Sequence, residues 1–272
     1  MTHQPQTIRV NGIDMSVVIA GQGPDVLLLH GFPDTHAVWR EQIPALVAAG
    51  YRVIAPDTRG CGQTAMPGHP SAYAMEHLVA DATGLLDALG SRTVRLAGHD
   101  WGAIIGWQLC MRHPQRIDRF AALSVGHPAA YARGGFLQKC KGHYILLLQL
   151  PGLAEYLVTC RDWFLFRLLT HYPGEFPRWR ANLSRPGRLT AGANYYRANC
   201  GLLLRPRTWP PVTTSVLGLW SDGDRFLVER QMTGSQRYVA GPWRYERITG
   251  ASHWLQLDAP QKVNSLLLDF FR

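Results

Sequence analysis

The sequence predicts an α/β fold, a mostly parallel central sheet flanked by helices with a helical segment inserted after the sixth strand. Three observations carry this reading. Short apolar runs alternate with amphipathic stretches that stop at Gly or Pro; the alternation ceases between about 128 and 210; and it resumes from Thr214 onward. In order, 7–20 reads as two strands turned at Asn11-Gly12, a dipeptide suited to the positive φ of a tight hairpin. The run 25–29 is a buried strand, and 36–49 is an amphipathic helix ended by Gly50. Strand 51–55, helix 75–89 before Gly90, strand 93–97, helix 103–112 before Pro114 and strand 117–125 continue the rhythm. Within the interruption, helices are expected over 137–150, 153–170 and 191–204, with no strands between them. Strand 214–220, a helix near 230–239, strand 243–248 and helix 261–271 close the chain. The division is therefore a core of 1–127 and 211–272 around a helical domain of 128–210.

A chain of 272 residues, 46% hydrophobic and 17% charged, buries a substantial core, which excludes a disulfide-stapled miniprotein and extended disorder. Its longest apolar stretch, 144–158, is broken by Gln149, Pro151, Gly152 and Glu155 and falls short of the roughly 20 residues of a membrane span. The opening Met-Thr-His-Gln-Pro-Gln-Thr lacks the charged and apolar regions of an export signal. Five cysteines, at 61, 110, 140, 160 and 200, form neither an even set nor a metal-ligand spacing, so a cytoplasmic protein without a metal is expected. The net charge of +9 is concentrated: residues 131–210 hold twelve basic and three acidic residues, while the remainder balances at 16 of each. Such a block is either a solvated Arg-rich face or an attractor of an anionic substrate or partner; no nucleic-acid motif accompanies it.

The chemistry centres on Leu96-Ala97-Gly98-His99-Asp100-Trp101-Gly102-Ala103, at an expected strand-to-helix junction. Glycines two residues either side of Asp100 give the spacing of a nucleophile elbow, where a strained turn needs small neighbours and lifts the central side chain over the sheet edge. Taken alone, Asp100 would be read as a helix N-cap. Three features that follow in order change that reading. His30-Gly31-Phe32-Pro33 comes straight after strand 25–29 and aims the Phe32 N–H, beside that of Trp101, at a developing oxyanion. Asp224, in Trp220-Ser221-Asp222-Gly223-Asp224, follows the returning strand, and His253 follows the last one. A carboxylate, with an ordinary pKa near 4, is already ionised at neutral pH and needs no base to attack. Attack on an ester carbonyl would give a reactive anhydride, whereas displacement at a saturated carbon gives a stable alkyl ester. The leaving group therefore sits on an sp³ carbon, and His253, oriented by Asp224, activates water against the ester.

The sequence resembles the α/β-hydrolase superfamily, in its epoxide hydrolase and dehalogenase branch, over essentially the whole chain outside the helical segment. The matching pieces are His30-Gly31-Phe32-Pro33, Asp57-Thr58-Arg59-Gly60-Cys61-Gly62, Gly98-His99-Asp100-Trp101-Gly102 and His253-Trp254-Leu255-Gln256-Leu257-Asp258-Ala259-Pro260. The resemblance implies an α/β-hydrolase fold with 128–210 as a cap, substrate between cap and core, and nucleophile, acid and histidine in that chain order. Its spacing favours Asp224 over Asp222 as the acid. His30, His99 and His127 are read as loop supports. The resemblance also implies two cap tyrosines that protonate an opening epoxide. Tyr195-Tyr196-Arg197 resembles the motif of one, which assigns the role to Tyr196. The position of the other, four residues before the proline of Gln149-Leu150-Pro151-Gly152, holds Leu147; Tyr144, one turn earlier, lies on the same helix face.

The activity so implied is opening of an epoxide to a vicinal diol. A haloalkane or haloacid dehalogenase is the alternative: Trp101 suits a halide, but Phe32 replaces the Asn that often follows His-Gly there, and Trp101 stands where fluoroacetate-type enzymes commonly have Arg. A non-catalytic ligand-binding member of the fold is a third reading, opposed by the intact Asp100, Asp224 and His253. Phe32, Trp101, Leu147 and Trp254 are expected to contact a bulky, largely hydrophobic substrate. Water is the only cosubstrate, no cofactor is needed, and a homodimer is left open.

Overall fold

A computed structural model describes residues 4–204 and 208–272. Met1, Thr2 and His3, at the start of the stretch read for an export signal, and Arg205 and Arg207 of the basic block lie outside the described residues.

Eight strands form one sheet in the order β1-β2-β4-β3-β5-β6-β7-β8. They are β1 (Gln6–Val10), β2 (Ile13–Ala20), β3 (Asp25–Leu29), β4 (Arg52–Pro56), β5 (Val94–His99), β6 (Ile117–Leu123), β7 (Ser215–Ser221) and β8 (Trp243–Ile248). β2 is antiparallel to β1 and β4, and the other pairings are parallel. Connection length explains this: the turn at Asn11 and Gly12, with φ of 47° and 77°, closes a hairpin, whereas parallel neighbours need a long crossover. From β3 the chain first moves out to β4 and then crosses back to β5 on the other side of β3. Crossovers thus diverge between β3 and β5, and the crevice beyond their carboxyl ends is where such sheets bind ligands.

Both sheet faces are covered. Leu27, Leu29 and Leu96 pack with α2 (Met75–Ala88) and α3 (Trp101–Arg112); the alternate Val26, Leu28 and Ala97 pack with α1 (Gln42–Ala48) and the last helix, α12 (Pro260–Phe271). Between β6 and β7 lie α4 (Pro128–Ala132), α5 (Phe136–Lys141), α6 (Tyr144–Leu148), α7 (Leu153–Thr170, bent at 160–163), α8 (Phe176–Leu183) and α9 (Arg188–Leu204). The short α10 (Glu229–Thr233) and α11 (Leu255–Asp258) follow β7 and β8.

The strands fall within about two residues of their expected bounds, but several helices differ. The stretch 36–49 is a 3-10 turn, His36–Trp39, capped by the Thr35 hydroxyl, followed by α1. Expected helix 137–150 is two helices parted at Gly142 and His143, and 230–239 is α10 followed by a 3-10 turn from Gly234. Glycine accounts for both breaks, since it weakens a helix interior. α8 was not expected: Phe176, Trp179 and Leu183 carry the helical spacing, but arginines surround them.

Much of the basic block has an internal use. Arg185 donates to the Gly62 carbonyl at 2.7 Å and Arg188 to that of Thr64 at 2.7 Å, tying the inserted helices to the core, while Arg197 donates to Leu148 O at 2.8 Å. Among the described residues no helix is long and apolar enough to cross a membrane, and no cluster has the makings of a metal site.

Candidate active site

Asp100 sits at the carboxyl end of β5, immediately before α3, with φ 54° and ψ −120°. A non-glycine residue there is strained by about 1–3 kcal/mol and persists only where its surroundings hold it. The glycines permit the turn: a Cβ on Gly98 would collide with the backbone of Gly102, and one on Gly102 with the Leu29 carbonyl. Asp100 occupies the N-cap position of α3, but its side chain makes no capping bond there. Its Oδ1 instead accepts the Phe32 N–H at 2.8 Å, and its Oδ2 faces His253 Nε2 at 3.5 Å. His253 Nδ1 meets Asp224 Oδ2 at 2.8 Å, and Asp224 Oδ1 accepts the N–H groups of Phe226 and Leu227 at 2.8 and 3.0 Å. Asp222 accepts the Gly250 N–H at 2.7 Å and pairs with Arg247, away from the imidazole.

This geometry fixes the charges. Burial opposes ionisation of Asp100, but His253, then His99 and the Trp101 N–H, hold its carboxyl below the ordinary carboxylate value. Burial would likewise lower the pKa of His253; the Asp224 and Asp100 carboxylates outweigh it and carry the imidazole up to about 10. Tyr144 and Tyr196 are driven well above the usual phenol range, first by burial, then by charge repulsion in which Asp100 takes part, so both retain their O–H proton. His99 is pushed down to about 3, mainly by burial, and sits neutral with Nε2 on the His253 carbonyl at 3.0 Å. His30 and His127 likewise meet loop backbone groups: His30 Nε2 accepts the Thr58 N–H, and His127 Nδ1 that of Ala129.

The carboxylate opens onto a cavity between the sheet edge and the inserted helices. Phe32, Tyr144, Leu147, Tyr196, His253 and Trp254 line it with Asp100. Phe226, Val158, Phe166, Leu189 and Thr170 complete the wall without having been singled out from sequence. Trp101 is buried and borders a smaller adjoining cavity that shares Asp100, Tyr144, Tyr196 and His253 with the first. The rings of Tyr144 and Tyr196 meet edge to face at 5.8 Å, so the one-turn offset from Leu147 does place a phenol beside Tyr196. Tyr195 turns the other way, its hydroxyl donating to the Arg59 carbonyl at 2.7 Å.

A family model described as alpha/beta hydrolase fold matches residues 24–260. Epoxide hydrolase 2 of Siraitia grosvenorii is 35% identical, aligned over 98% of this chain and 97% of its own length. Epoxide hydrolase A of Mycobacterium tuberculosis is 33% identical, over 97% and 95%. The crystal structure of an epoxide hydrolase from Vigna radiata superposes with a TM-score of 0.86 at 31% identity, over 99% and 98% of the two chains. The chain belongs to the α/β-hydrolase fold family, in its epoxide hydrolase branch.

Around the triad-like group of this α/β-hydrolase lie supports that the sequence did not reveal. Buried Asp34 accepts both the Trp179 indole N–H of α8 at 2.7 Å and that of Trp254 at 2.8 Å, linking the insertion to the residue beside His253. Burial raises its pKa to about 7 against the pull of the two indoles. From α5, Gln138 donates to Phe226 O at 2.9 Å and accepts the Val228 N–H at 3.0 Å, while Lys141 donates to the carbonyls of Asp224 and Leu227. One helix of the insertion thus grips the loop that carries the acid.

Proposed function

We propose that this chain is an epoxide hydrolase that opens an epoxide to a vicinal diol through an alkyl ester on Asp100, with residues 128–210 acting as its cap. The observation that carries the reading is the Asp100 carboxylate sharing one predominantly apolar cavity with the buried phenol of Tyr196 and the partly buried phenol of Tyr144. Asp100 Oδ2 attacks a ring carbon, the carbon–oxygen bond breaks, and the departing oxygen takes a proton from Tyr196, with Tyr144 as second donor. The phenolate recovers a proton from the His253 imidazolium. Esterification removes the Asp100 charge that helped hold that proton, so the transfer is favoured at this point. Neutral His253, oriented by Asp224, then takes a proton from a water that attacks Cγ. The oxyanion develops on Oδ1, the atom already held by the Phe32 N–H, with the Trp101 N–H acting on the same carboxyl. Collapse expels the diol oxygen, which takes the proton from His253. The Asp100 acid returns its remaining proton to His253 and restores the ion pair.

The lining of Phe32, Leu147 and Trp254 supports a bulky hydrophobic epoxide with water as cosubstrate. The five cysteines are free thiols, which supports a cytoplasmic setting. The reading is tested by intact mass of a His253→Gln variant, in which the ester cannot be hydrolysed, soaked with epoxides, chloroalkanes and fluoroacetate. A stable adduct on Asp100 from an epoxide is expected. Adducts from a haloalkane alone would make the chain a dehalogenase, and none from any class would make it a binding protein.

A further inference from the structure

Among the described residues nine large apolar side chains remain exposed, and eight of them fall between positions 136 and 168. Phe136 is 82% exposed, Tyr156 66%, Leu146 62% and Phe164 59%, values at which most of each side chain faces water. They lie on α5, α6, α7 and the turn between the last two, and both of these helices carry apolar side chains on their inner and their outer faces. Inward, Leu148, Val158 and Phe166 line the catalytic cavity; outward, Leu146, Tyr156 and Phe164 are left exposed by the described residues. Large apolar side chains left exposed together in one segment mark an interaction surface.

Charge selects what covers it. Between 131 and 204 the described cap holds ten basic and three acidic residues, and each acid is already engaged: Glu155 by Arg197, Asp162 by Arg167 and Arg180, Glu175 by Arg40 and Arg178. Lys139 on α5 and Arg161 on α7, set among the exposed apolar residues, have no ion-pair partner among the described residues. A second copy pressed face to face would oppose cation to cation. An anionic phospholipid surface meets both requirements, taking apolar side chains into its acyl boundary and Lys and Arg onto its phosphates. We propose that the outer face of the cap, built on Phe136, Leu146, Tyr156 and Phe164, docks peripherally on an anionic phospholipid bilayer, lying on it rather than crossing it. The proposal does not depend on the epoxide reading, because binding is measured without substrate.

The test is sedimentation of the full chain with vesicles of equimolar phosphatidylglycerol and phosphatidylcholine, against vesicles of phosphatidylcholine alone. Binding to the anionic vesicles is expected to be at least about tenfold tighter and to weaken in about 0.5 M salt, where surface charges are screened. Two variants, Phe136→Ser/Leu146→Ser/Phe164→Ser and Lys139→Glu/Arg161→Glu, are each expected to lose about tenfold or more in partition while keeping the parent's circular dichroism. The second variant leaves the apolar residues intact and serves if the first does not fold. No binding to anionic vesicles, equal binding to both compositions, or unchanged binding by the folded variants would overturn the proposal. So would a dimer in analytical ultracentrifugation that the triple substitution dissociates, which would assign the face to a second copy.

Discussion

His253 lies between two carboxylates, and its proton is the most exposed consequence of that arrangement to experiment. Its folded pKa, about 10, is above the ordinary 6.5, so its contribution to stability is complete below about pH 6.5 and is lost as pH rises towards 10. The imidazole resonances are therefore expected to stay protonated well above pH 8, and an Asp100→Asn variant, lacking one carboxylate, to titrate lower. Titration of the parent at the ordinary value would dissolve the ion pair. In the proposed mechanism the two phenols share protonation of the departing oxygen. Tyr196→Phe and Tyr144→Phe are each expected to slow single-turnover alkylation by roughly a hundredfold, the effect of one lost donor to a developing oxyanion, and the double variant to be slower still. An unchanged rate for Tyr144→Phe would remove that residue from the mechanism. At this scale legibility followed the chain. Asp100, Phe32, Asp224 and His253 stand in local motifs whose glycines and strand ends are visible in sequence, and Tyr144 was reachable only through the helical offset from Leu147. Asp34, Gln138 and Lys141 have partners some 80 to 220 positions away, and no local pattern announces such a pairing.

Among elements, buried parallel strands such as β3 and β7 are built on near-continuous apolar runs, which is why their bounds were readable. Short helices stabilised by tertiary contact are not, and α8 and the division of α5 from α6 escaped for that reason. α5 also has the clearest energetic role. Its buried Gln138 satisfies one carbonyl and one N–H of the loop between Asp224 and Val228, on which Phe226 packs against His253 at 5.1 Å. Gln138→Leu would leave both backbone groups unpaired, at about 1–3 kcal/mol each before relaxation, and would loosen the acid. Thermal unfolding is expected several degrees lower, accompanied by a fall in kcat and a downward shift of the His253 titration. A lower melting point with an unshifted titration would mean that the helix stabilises the fold without positioning Asp224.

Over the whole molecule, the +9 charge resolves into two uses of the cap's cations. One set faces outward beside exposed apolar side chains; the other spends its donors on core carbonyls that no β-ladder satisfies. Arg185, in the α8–α9 connection, and Arg188, at the start of α9, reach the Gly62-Gln63-Thr64 turn of the core, and α9 also delivers Tyr196 to the cavity. Charged donors to a half-buried backbone each contribute about 1 kcal/mol or more, so the pair helps hold α9, and Tyr196 with it, against the core. Removing both with Arg185→Ala/Arg188→Ala should leave the sheet intact and loosen α9 from the core. Amide exchange is expected to quicken about tenfold across α9 while β3, β5 and β6 keep the parent's protection. Alkylation should slow and hydrolysis of a preformed ester should not, because the phenols of the cap act only in ring opening whereas His253, Asp224 and the two N–H groups all belong to the core. Equal slowing of both steps would instead mean that the arginines support the core turn itself.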